Sequence, residues 1–360
     1  MDATLPLSRA AVDRAAHRRA GPVVATAWAE SRTRVLLVRD GQVATRPGPE
    51  GSTVLDLVAP ADIAARPPGG EREGGGPHTP VFLGEDDAAA YLALVIAEGP
   101  GADVQPAQPD AQPDSQPAQP DVQPDVQPDV TGSAETLPVL QGRTWSTLRD
   151  VGHLLGDRDV DLAATAVALA AWHTRNRRCV RCGRPNRPAE AGWTRRCPHD
   201  GTEDYPRTDP AVIMAVTDDA DRLLLGHAAH WPSRRFSTLA GFVEPGESAE
   251  AAVRREVAEE VAIDIGALEY VASQPWPFPN SLMLAFRARA TTTDIRVDAV
   301  EITEARWFTR ADLRAAVDDG EVLLPMRSSV ARVLIESWYG GPLEEAAERG
   351  PGEPALGPAR

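Results

Sequence analysis

A repeat of Gln-Pro-Asp and Gln-Pro-Ala units between Gln105 and Val130 limits how this 360-residue chain can fold. Proline at every few positions removes backbone hydrogen-bond donors and prevents a helix, and almost no side chain there is large and apolar. We therefore expect residues 99–136 to be an extended, acidic, disordered linker without a function of its own. The Gly-, Pro- and Glu-rich residues 341–360 are expected to form a disordered tail.

The residues on both sides of the linker have the hydrophobic patterns of a small α+β domain. Residues 1–98 would form its first part, and residues 137–176 would complete it with helices. The predicted strands are Val23–Trp28, Arg34–Val38, Gln42–Thr45 and Val81–Leu83, and the predicted helices are Ala88–Ala97, Ser146–Leu155 and Asp161–Arg175. No cluster of histidine, cysteine or carboxylate residues assigns any chemistry to this domain.

Composition and charge exclude several classes of protein. Hydrophobic residues make up 42% of the chain, as in globular proteins, and the net charge of −16 disfavours a general nucleic-acid or membrane-surface binder. No apolar run is long enough for a membrane helix, and none near the N-terminus is typical of a signal peptide. Three cysteines are too few for a disulfide framework, so we expect a cytoplasmic protein.

The three cysteines have the spacing of a zinc ribbon. They follow the pattern Cys179-x2-Cys182-x14-Cys197, and a fourth cysteine would be expected at position 200. Asp200 occupies that position and His199 lies beside it, so either residue is a candidate fourth ligand. We therefore predict a zinc-ribbon-like module over residues 177–206 with structural Zn²⁺. The alternative is a degenerate ribbon that has lost its metal.

The ribbon is locally basic although the chain is acidic. Eight arginines lie between residues 175 and 196, against the single acidic residue Glu190. Two interpretations remain open at this point. The arginines are either the solvated surface of a small domain or a site that attracts a polyanion such as RNA.

The segment from Gly241 to Ile263, GFVEPGESAEAAVRREVAEEVAI, carries the strongest chemical signal. It predicts the strand Phe236–Val243, a turn at Pro245-Gly246, an N-cap at Ser248 and a helix from Ala249 to about Val261. Four apolar residues, Ala252, Val253, Val257 and Val261, would form the buried face of that helix.

Three carboxylates, Glu256, Glu259 and Glu260, are neighbours on the surface of this helix. Their mutual repulsion, of a few kcal/mol per pair, must be offset by a cation, and oxygen ligands favour Mg²⁺ or Mn²⁺. We expect Arg255 to hold Glu247 and orient the preceding loop, and not to serve both of its acidic neighbours. The helix taken alone would also fit an ordinary solvated acidic helix.

The complete pattern, Gly-x5-Glu-x7-Arg-Glu-Val-x-Glu-Glu, resembles the Nudix box of metal-dependent hydrolases that act on nucleoside diphosphate derivatives. One position departs from that pattern, because Ala262 stands where glycine is expected. A left-handed conformation there costs alanine about 1 kcal/mol relative to glycine.

The nine residues Ser273–Ser281, SQPWPFPNS, resemble an array that marks the NADH pyrophosphatase family of Nudix enzymes. The resemblance extends from about Trp172 to Trp338 and is weak before it. It implies a mixed α+β protein: an N-terminal α+β domain, the zinc-ribbon-like module and a C-terminal Nudix α/β/α sandwich with a mixed sheet over residues 207–340. The family is dimeric, so the resemblance also implies a homodimer.

The resemblance further implies roles for individual residues. Glu256, Glu259, Glu260 and Glu301 would hold the catalytic Mg²⁺ or Mn²⁺, and Glu259 or Glu260 would act on the attacking water. The substrate would contact Tyr205, Phe242, Gln274, Ser281 and Trp276, with Trp276 contributed by the partner subunit.

The expected function is hydrolysis of the pyrophosphate of NAD(H), and removal of NAD caps from RNA 5′ ends. We expect no binding to DNA or to a membrane. Two alternatives remain: a Nudix hydrolase of another dinucleotide, such as ADP-ribose or diadenosine polyphosphate, and an RNA-binding zinc-ribbon protein with an inactive Nudix domain.

Overall fold

The computed structural model describes residues 5–64, 78–96 and 137–345. The predicted linker and most of the predicted tail lie outside these residues. Within them, no helix combines the length and the apolar composition that crossing a membrane requires. The architecture is the mixed α+β arrangement that we expected, with two mixed sheets and a small ribbon between them.

The N-terminal domain is a six-stranded mixed sheet with helices packed against it. Its elements are α1 (Val23–Ala29), β1 (Arg34–Arg39), β2 (Gln42–Pro47), β3 (Thr53–Leu55), β4 (His78–Glu85), β5 (Ala90–Ile96), β6 (Thr144–Thr147), α2 (Leu148–Val151) and α3 (Asp157–Arg175). The strand order is β3-β2-β1-β5-β4, with β6 on β2, and β1 and β5 are parallel.

Three sequence predictions in this domain are wrong. Val23–Trp28 was expected to be a strand but lies in α1, which buries Val23, Ala27 and Trp28 on one face. Ala88–Ala97 was expected to be a helix, but β5 occupies most of it, and its residues are buried throughout because other elements cover both faces. The third, Ser146–Leu155, divides into the end of β6 and the short α2.

The ribbon has three short antiparallel strands, β7 (Arg187–Ala189), β8 (Thr194–Arg196) and β9 (Glu203–Asp204). It packs firmly on the N-terminal domain. A Cβ on Gly192 would lie 2.7 Å from a methyl of Val81, and the Trp193 indole donates to the carbonyl of Phe82 at 2.7 Å. The orientation of the ribbon is therefore set by direct packing on β4.

The C-terminal domain is a second mixed sheet. Its elements are β10 (Asp209–Thr217), β11 (Leu223–Ala228), β12 (Leu239–Phe242), α4 (Ala249–Val261), β13 (Ile265–Trp276), β14 (Ser281–Ala290), β15 (Ile302–Phe308), α5 (Arg310–Asp318) and α6 (Val330–Tyr339). The order is β13-β14-β10-β11-β15, with β12 on β10, and β10 and β14 are parallel. The strand expected over Phe236–Val243 is shorter, beginning at Leu239.

Alternate side chains of β10 face two different cores. Val212 and Met214 belong to the apolar cluster beneath α4, whereas Ile213 belongs to the cluster that contains α6. The same alternation applies along β12, where Leu239 joins the α4 side and Ala240 the α6 side. Strand β12 therefore presents successive residues to the two faces of the sheet.

Candidate active site

Helix α4 forms where the sequence predicts it. Ser248 is the N-cap, and its hydroxyl accepts a hydrogen bond from the Ala251 N–H at 3.2 Å. Val253, Val257 and Val261 are fully buried against the sheet. This packing fixes the rotation of the helix, and therefore the direction of its carboxylates.

Ala262 ends the helix in the left-handed conformation that the pattern implies, with φ 58° and ψ 33°. Alanine thus occupies the geometry in which glycine was expected, and the helix is not extended or unwound. The substitution leaves the preceding carboxylates in place.

Two of the helical glutamates are buried and one is exposed. Glu256 and Glu260 are only 7% and 5% accessible to solvent, whereas Glu259 faces outward. The Glu256 carboxylate lies against the backbone of β12, where a Cβ on Gly241 would stand 1.8 Å from its carboxyl carbon. Only glycine at position 241 allows this approach.

Arg255 contacts more carboxylates than we expected. It donates two hydrogen bonds to Glu247, at 2.8 and 2.9 Å, which confirms the predicted pairing. It also donates to Glu256 at 2.9 Å and to Glu259 at 3.0 Å, so the expectation that it could not serve both acidic neighbours is wrong. The planar guanidinium has five N–H donors, enough for all of these acceptors and the Phe242 carbonyl.

Glu301 reaches the helix from a distant part of the chain. The loop before β15 is tied to the C-terminal end of α4, because the N–H groups of Arg296 and Asp298 donate to the carbonyls of Val261 and Glu260. The Asp298 carboxylate then accepts from the N–H groups of Val300, Glu301 and Ile302. These bonds fix the loop that carries Glu301 beside the carboxylates of the helix.

Glu256, Glu259, Glu260 and Glu301 form a carboxylate cluster. The pKa values of Glu256, Glu260 and Glu301 are raised by burial and by the negative charges around them. Burial raises the pKa of Glu260 well above its usual range, and the charges of Glu256, Glu301, Asp298 and Glu259 raise it further. Burial also raises the pKa of Glu256, although Arg255 opposes this effect. The pKa of Glu301 is raised by burial, Asp298 and Glu259.

The cluster has the chemistry of a divalent-cation site. The Oε2 atom of Glu260 is buried and has no hydrogen-bond partner in the described part of the chain. A buried carboxylate oxygen without a donor is unfavourable unless a cation lies next to it. Glu256, Glu259, Glu260 and Glu301 therefore fit Mg²⁺ or Mn²⁺, both of which prefer oxygen ligands.

A cleft lies on the α6 side of the sheet. Ile213, Trp231, Trp276, Met283 and Val330 are among its mostly apolar lining residues. An apolar lining with aromatic side chains of this kind suits a flat ring.

The predicted substrate contacts lie in different surroundings. Phe242 is half-buried and packs with the core on the α6 side, whereas Tyr205 is 59% exposed and its hydroxyl donates to Glu203 at 2.5 Å. Trp276 lines the cleft and stacks edge-to-face on Phe278, with ring centroids 5.0 Å apart. Ser281 is buried at the start of β14.

Gln274 is fully buried, and its side-chain amide is already engaged. Its Oε1 accepts from the Leu7 N–H at 3.3 Å, and its Nε2 donates to the Ser328 carbonyl at 3.0 Å. These bonds join the N-terminal segment to the loop before α6. Within this chain, Gln274 therefore acts first as a bridge between domains.

Sequence reasoning missed two residues of the site. Asp298 was not singled out, although an aspartate three residues before Glu301 is a common signal for a turn bonded by its own side chain. The role of Gly241 was also missed, because the close approach of Glu256 involves a residue from another element.

The cysteine cluster has the dimensions of a tetrahedral metal centre. Ligand atoms of Cys179, Cys182, Cys197 and Asp200 all lie within 4.8 Å of one another, with Cys182 Sγ and Cys197 Sγ 3.6 Å apart. Tetrahedral zinc with Zn–S bonds of about 2.3 Å requires sulfurs about 3.8 Å apart. The donor set thus fits zinc, and it contains Asp200 and not the exposed His199.

Asp200 is held in place by the turn that follows it. The Thr202 N–H donates to Asp200 Oδ1 at 2.9 Å, and this bond helps to hold the pKa of the carboxyl below its usual range. Asp200 is therefore ionised and ready to ligate, and its Oδ2 atom lies 3.8 Å from the Cys179 sulfur.

Comparison with known protein families finds three matches, and they follow one another along the chain in the same order as the three domains of the structure. Residues 32–172 match the family described as "NADH pyrophosphatase-like rudimentary NUDIX domain". Residues 174–205 match "NADH pyrophosphatase zinc ribbon domain", and residues 207–326 match "NUDIX domain".

The chain is also similar to curated proteins. It is 46% identical over 200 residues to an NAD-capped RNA hydrolase NudC from Mycobacterium bovis, covering 53% of this chain and 64% of that protein. It is 40% identical over 196 residues to the human NAD-capped RNA hydrolase NUDT12, covering 51% of this chain and 42% of that protein. The match therefore spans less than two thirds of each relative.

Among solved structures, a NUDIX hydrolase from Nitrosomonas europaea is 23% identical, with a TM-score of 0.37. The comparison covers 46% of this chain and 94% of that structure.

Proposed function

The chain belongs to the NADH pyrophosphatase family of Nudix proteins, and from this membership we propose that it hydrolyses the pyrophosphate of NAD(H) in a metal-dependent reaction. The products are the nicotinamide mononucleotide and AMP. At an NAD-capped RNA end, the same cleavage leaves a 5′-monophosphate.

One observation carries this proposal: among the residues that the structure describes, no hydrogen-bond donor reaches the buried Oε2 atom of Glu260. Glu256, Glu259 and Glu301 surround it with further negative charge. A folded protein tolerates such a cluster when its function is to hold cations. This observation supports an active hydrolase over an RNA-binding protein with an inactive Nudix domain.

In the proposed reaction, Glu256, Glu259, Glu260 and Glu301 hold Mg²⁺ or Mn²⁺. When bound, such ions supply positive charge to the pyrophosphate oxygens and Lewis acidity to the phosphorus. Water attacks one phosphorus in line with the bridging oxygen, and the bond from that phosphorus to the bridging oxygen breaks. Glu259 or Glu260 accepts the proton of the water, and Arg255 keeps Glu256 and Glu259 in position.

We propose that Phe242, Tyr205, Ser281 and Trp276 form the substrate pocket, as predicted from the sequence, and that Phe242 offers an aromatic face to a base of the substrate. Trp276 on β13 pairs with Ser281 on β14, and both residues belong to the Ser273–Ser281 array. We propose that the pocket is completed in a homodimer, to which the partner subunit contributes its Trp276. Gln274 supports the pocket indirectly in this proposal, because its amide is already bonded to Leu7 and Ser328. We further propose a cytoplasmic location, where NAD(H) and capped RNA are both present.

The test is to incubate the purified protein with NADH and with NAD-capped RNA, in Mg²⁺, in Mn²⁺ and in EDTA. We expect nicotinamide mononucleotide and AMP from NADH, and no turnover in EDTA. Light scattering of the same sample measures the mass of the assembly. Hydrolysis of ADP-ribose or diadenosine polyphosphate without release of nicotinamide mononucleotide from NADH would overturn the proposal.

A further inference from the structure

The end of α3 and the first turn of the ribbon together carry a concentration of exposed positive charge. Arg175, Arg177, Arg178, Arg181 and Arg184 are all exposed, and we refer to them together as the arginine surface. None of the five forms an ion pair with a carboxylate in the described part of the chain. Arg178 donates a hydrogen bond to the Gly183 carbonyl at 3.1 Å, across the turn that bears these arginines. By contrast, Arg196 on β8 pairs with Glu203 at 2.5 Å.

The charge of the ribbon is not explained by its metal centre. Residues 174–205 contain eight arginines and four acidic residues, whereas the whole chain has a net charge of −16. Three thiolates together with Zn²⁺ lower the charge of the ribbon by only one further unit. The ribbon therefore remains positive after the metal centre has been taken into account.

The interior of the ribbon does not neutralise this charge either. Arg195 is 3% exposed, and its hydrogen bonds go to the neutral Asn186 and His173. The buried guanidinium of Arg195 therefore adds to the positive charge of the ribbon and does not offset it.

The C-terminal end of the same ribbon lies beside the segment that carries the proposed substrate contacts. The ribbon leads through exposed Tyr205 into β10, whose first residue Asp209 pairs with Ser281. The Asp209 N–H also donates to the Asn280 carbonyl at 2.9 Å. The ribbon thus adjoins the loop that carries the proposed substrate contacts.

We propose that the arginine surface binds the phosphodiester backbone of single-stranded RNA leading away from the cap, and so favours capped RNA over free dinucleotide. Guanidinium groups bind phosphate through paired N–H donors. Exposed Val180 and Tyr205 offer bases a surface that requires no particular sequence. This inference rests on the proposed function, because the arginine surface would bind the RNA chain that follows an NAD cap held in the active site.

The test compares the triple variant Arg177→Gln, Arg181→Gln and Arg184→Gln with a control of equal charge change, Arg32→Gln, Arg34→Gln and Arg46→Gln. The control arginines are exposed on the N-terminal domain. We expect the ribbon variant to lower kcat/KM for NAD-capped RNA about tenfold or more at low salt, and to leave kcat/KM for NADH unchanged. The slope of log kcat/KM against log salt should become shallower by about 2.

Binding is measured separately with a fluorescent single-stranded RNA that carries a 5′-monophosphate. Weaker anisotropy binding of the ribbon variant supports the proposal, even if the wild-type chain hydrolyses neither substrate and the proposed function fails. Unchanged RNA binding, or an equal loss of kcat/KM on NADH and on capped RNA, overturns it. Zinc content is determined for each variant, and the single change Arg184→Gln is tested alongside in case the triple variant loses zinc.

Discussion

The carboxylate of Glu256 lies so close to the backbone of Gly241 that a Cβ at position 241 would stand 1.8 Å from its carboxyl carbon and 2.0 Å from Oε1. One residue belongs to strand β12 and the other to helix α4. The contact therefore couples the packing of helix on strand to the position of a candidate metal ligand.

Replacing Gly241 with alanine should abolish most of the activity. The new methyl group must displace the Glu256 carboxylate, and the loss of one correctly placed metal ligand is expected to lower kcat by about 100-fold. The measurement is kcat on NADH at saturating Mn²⁺. Gly156→Ala is the matched control, because no atom lies within 4 Å of its added Cβ. Equal activity of the two variants would contradict the assignment of Glu256.

Replacing Glu260 with glutamine should remove the buried negative charge and keep the shape of the side chain. We expect kcat to fall by about 100- to 1,000-fold, because several kcal/mol of cation-dependent stabilisation are lost. The control is Glu250→Gln, an exposed glutamate in the first turn of the same helix. Tryptophan fluorescence titration with Mn²⁺ should show weaker binding only in the Glu260 variant, and unchanged binding there would refute its role.

Replacing Arg255 with lysine should disturb the site even though the charge is conserved. Lysine cannot reproduce the fork that contacts Glu247, Glu256 and Glu259, so we expect kcat to fall about 10- to 100-fold. Arg254→Lys serves as the control, since the bonds of Arg254 within the described residues go to the backbone carbonyls of Glu250 and Gly266. A loss in Arg254→Lys as large as that in Arg255→Lys would argue for a general effect on the helix.

The zinc ligand assignment predicts an asymmetry between two adjacent residues. Asp200→Ala should release zinc faster to a chelator, Asp200→Cys should retain it, and His199→Ala should behave like the wild type. The reason is that the Asp200 carboxylate lies within the cluster of sulfurs, while His199 does not belong to it. Zinc content after a timed chelator challenge measures this. Loss of zinc in His199→Ala would reverse the assignment.

The buried His173 should make the folded state sensitive to mild acid. Burial, together with the charge of Arg195, lowers the pKa of His173 from 6.5 to about 4. The folded chain therefore binds fewer protons at this residue than the unfolded chain does, and stability is lost as the pH falls from about 6.5 to 4. At about 1.4 kcal/mol per unit of pKa, the loss from this residue approaches about 3 kcal/mol.

Urea unfolding between pH 7 and pH 4.5 measures the effect, with zinc content monitored throughout. His173→Gln keeps groups that can bond Arg195 and Gly192, and it should show a weaker pH dependence than the wild type. The exposed His199→Gln is the control and should retain the full dependence. Identical pH profiles for all three proteins would exclude His173 as the source.

The sequence by itself determined the features that depend on local spacing. The N-cap at Ser248, the span of α4, the left-handed Ala262 and the cysteine spacing could all be predicted, because each depends on residues within a few positions of one another. The pairing of Arg255 with Glu247 belongs to the same group, since the two residues are only eight positions apart in the sequence.

Only the tertiary structure decided the features that depend on what packs around a segment. Residues Ala90–Ile96 form a strand because neighbouring strands and helices bury them on both faces, which overrides the helical preference of alanine and leucine. The fit of Glu256 over Gly241, and the loop that ties Asp298 to the end of α4, join elements distant in sequence. Contacts of this kind leave no periodic pattern in the sequence, because they join elements that meet only in the folded chain.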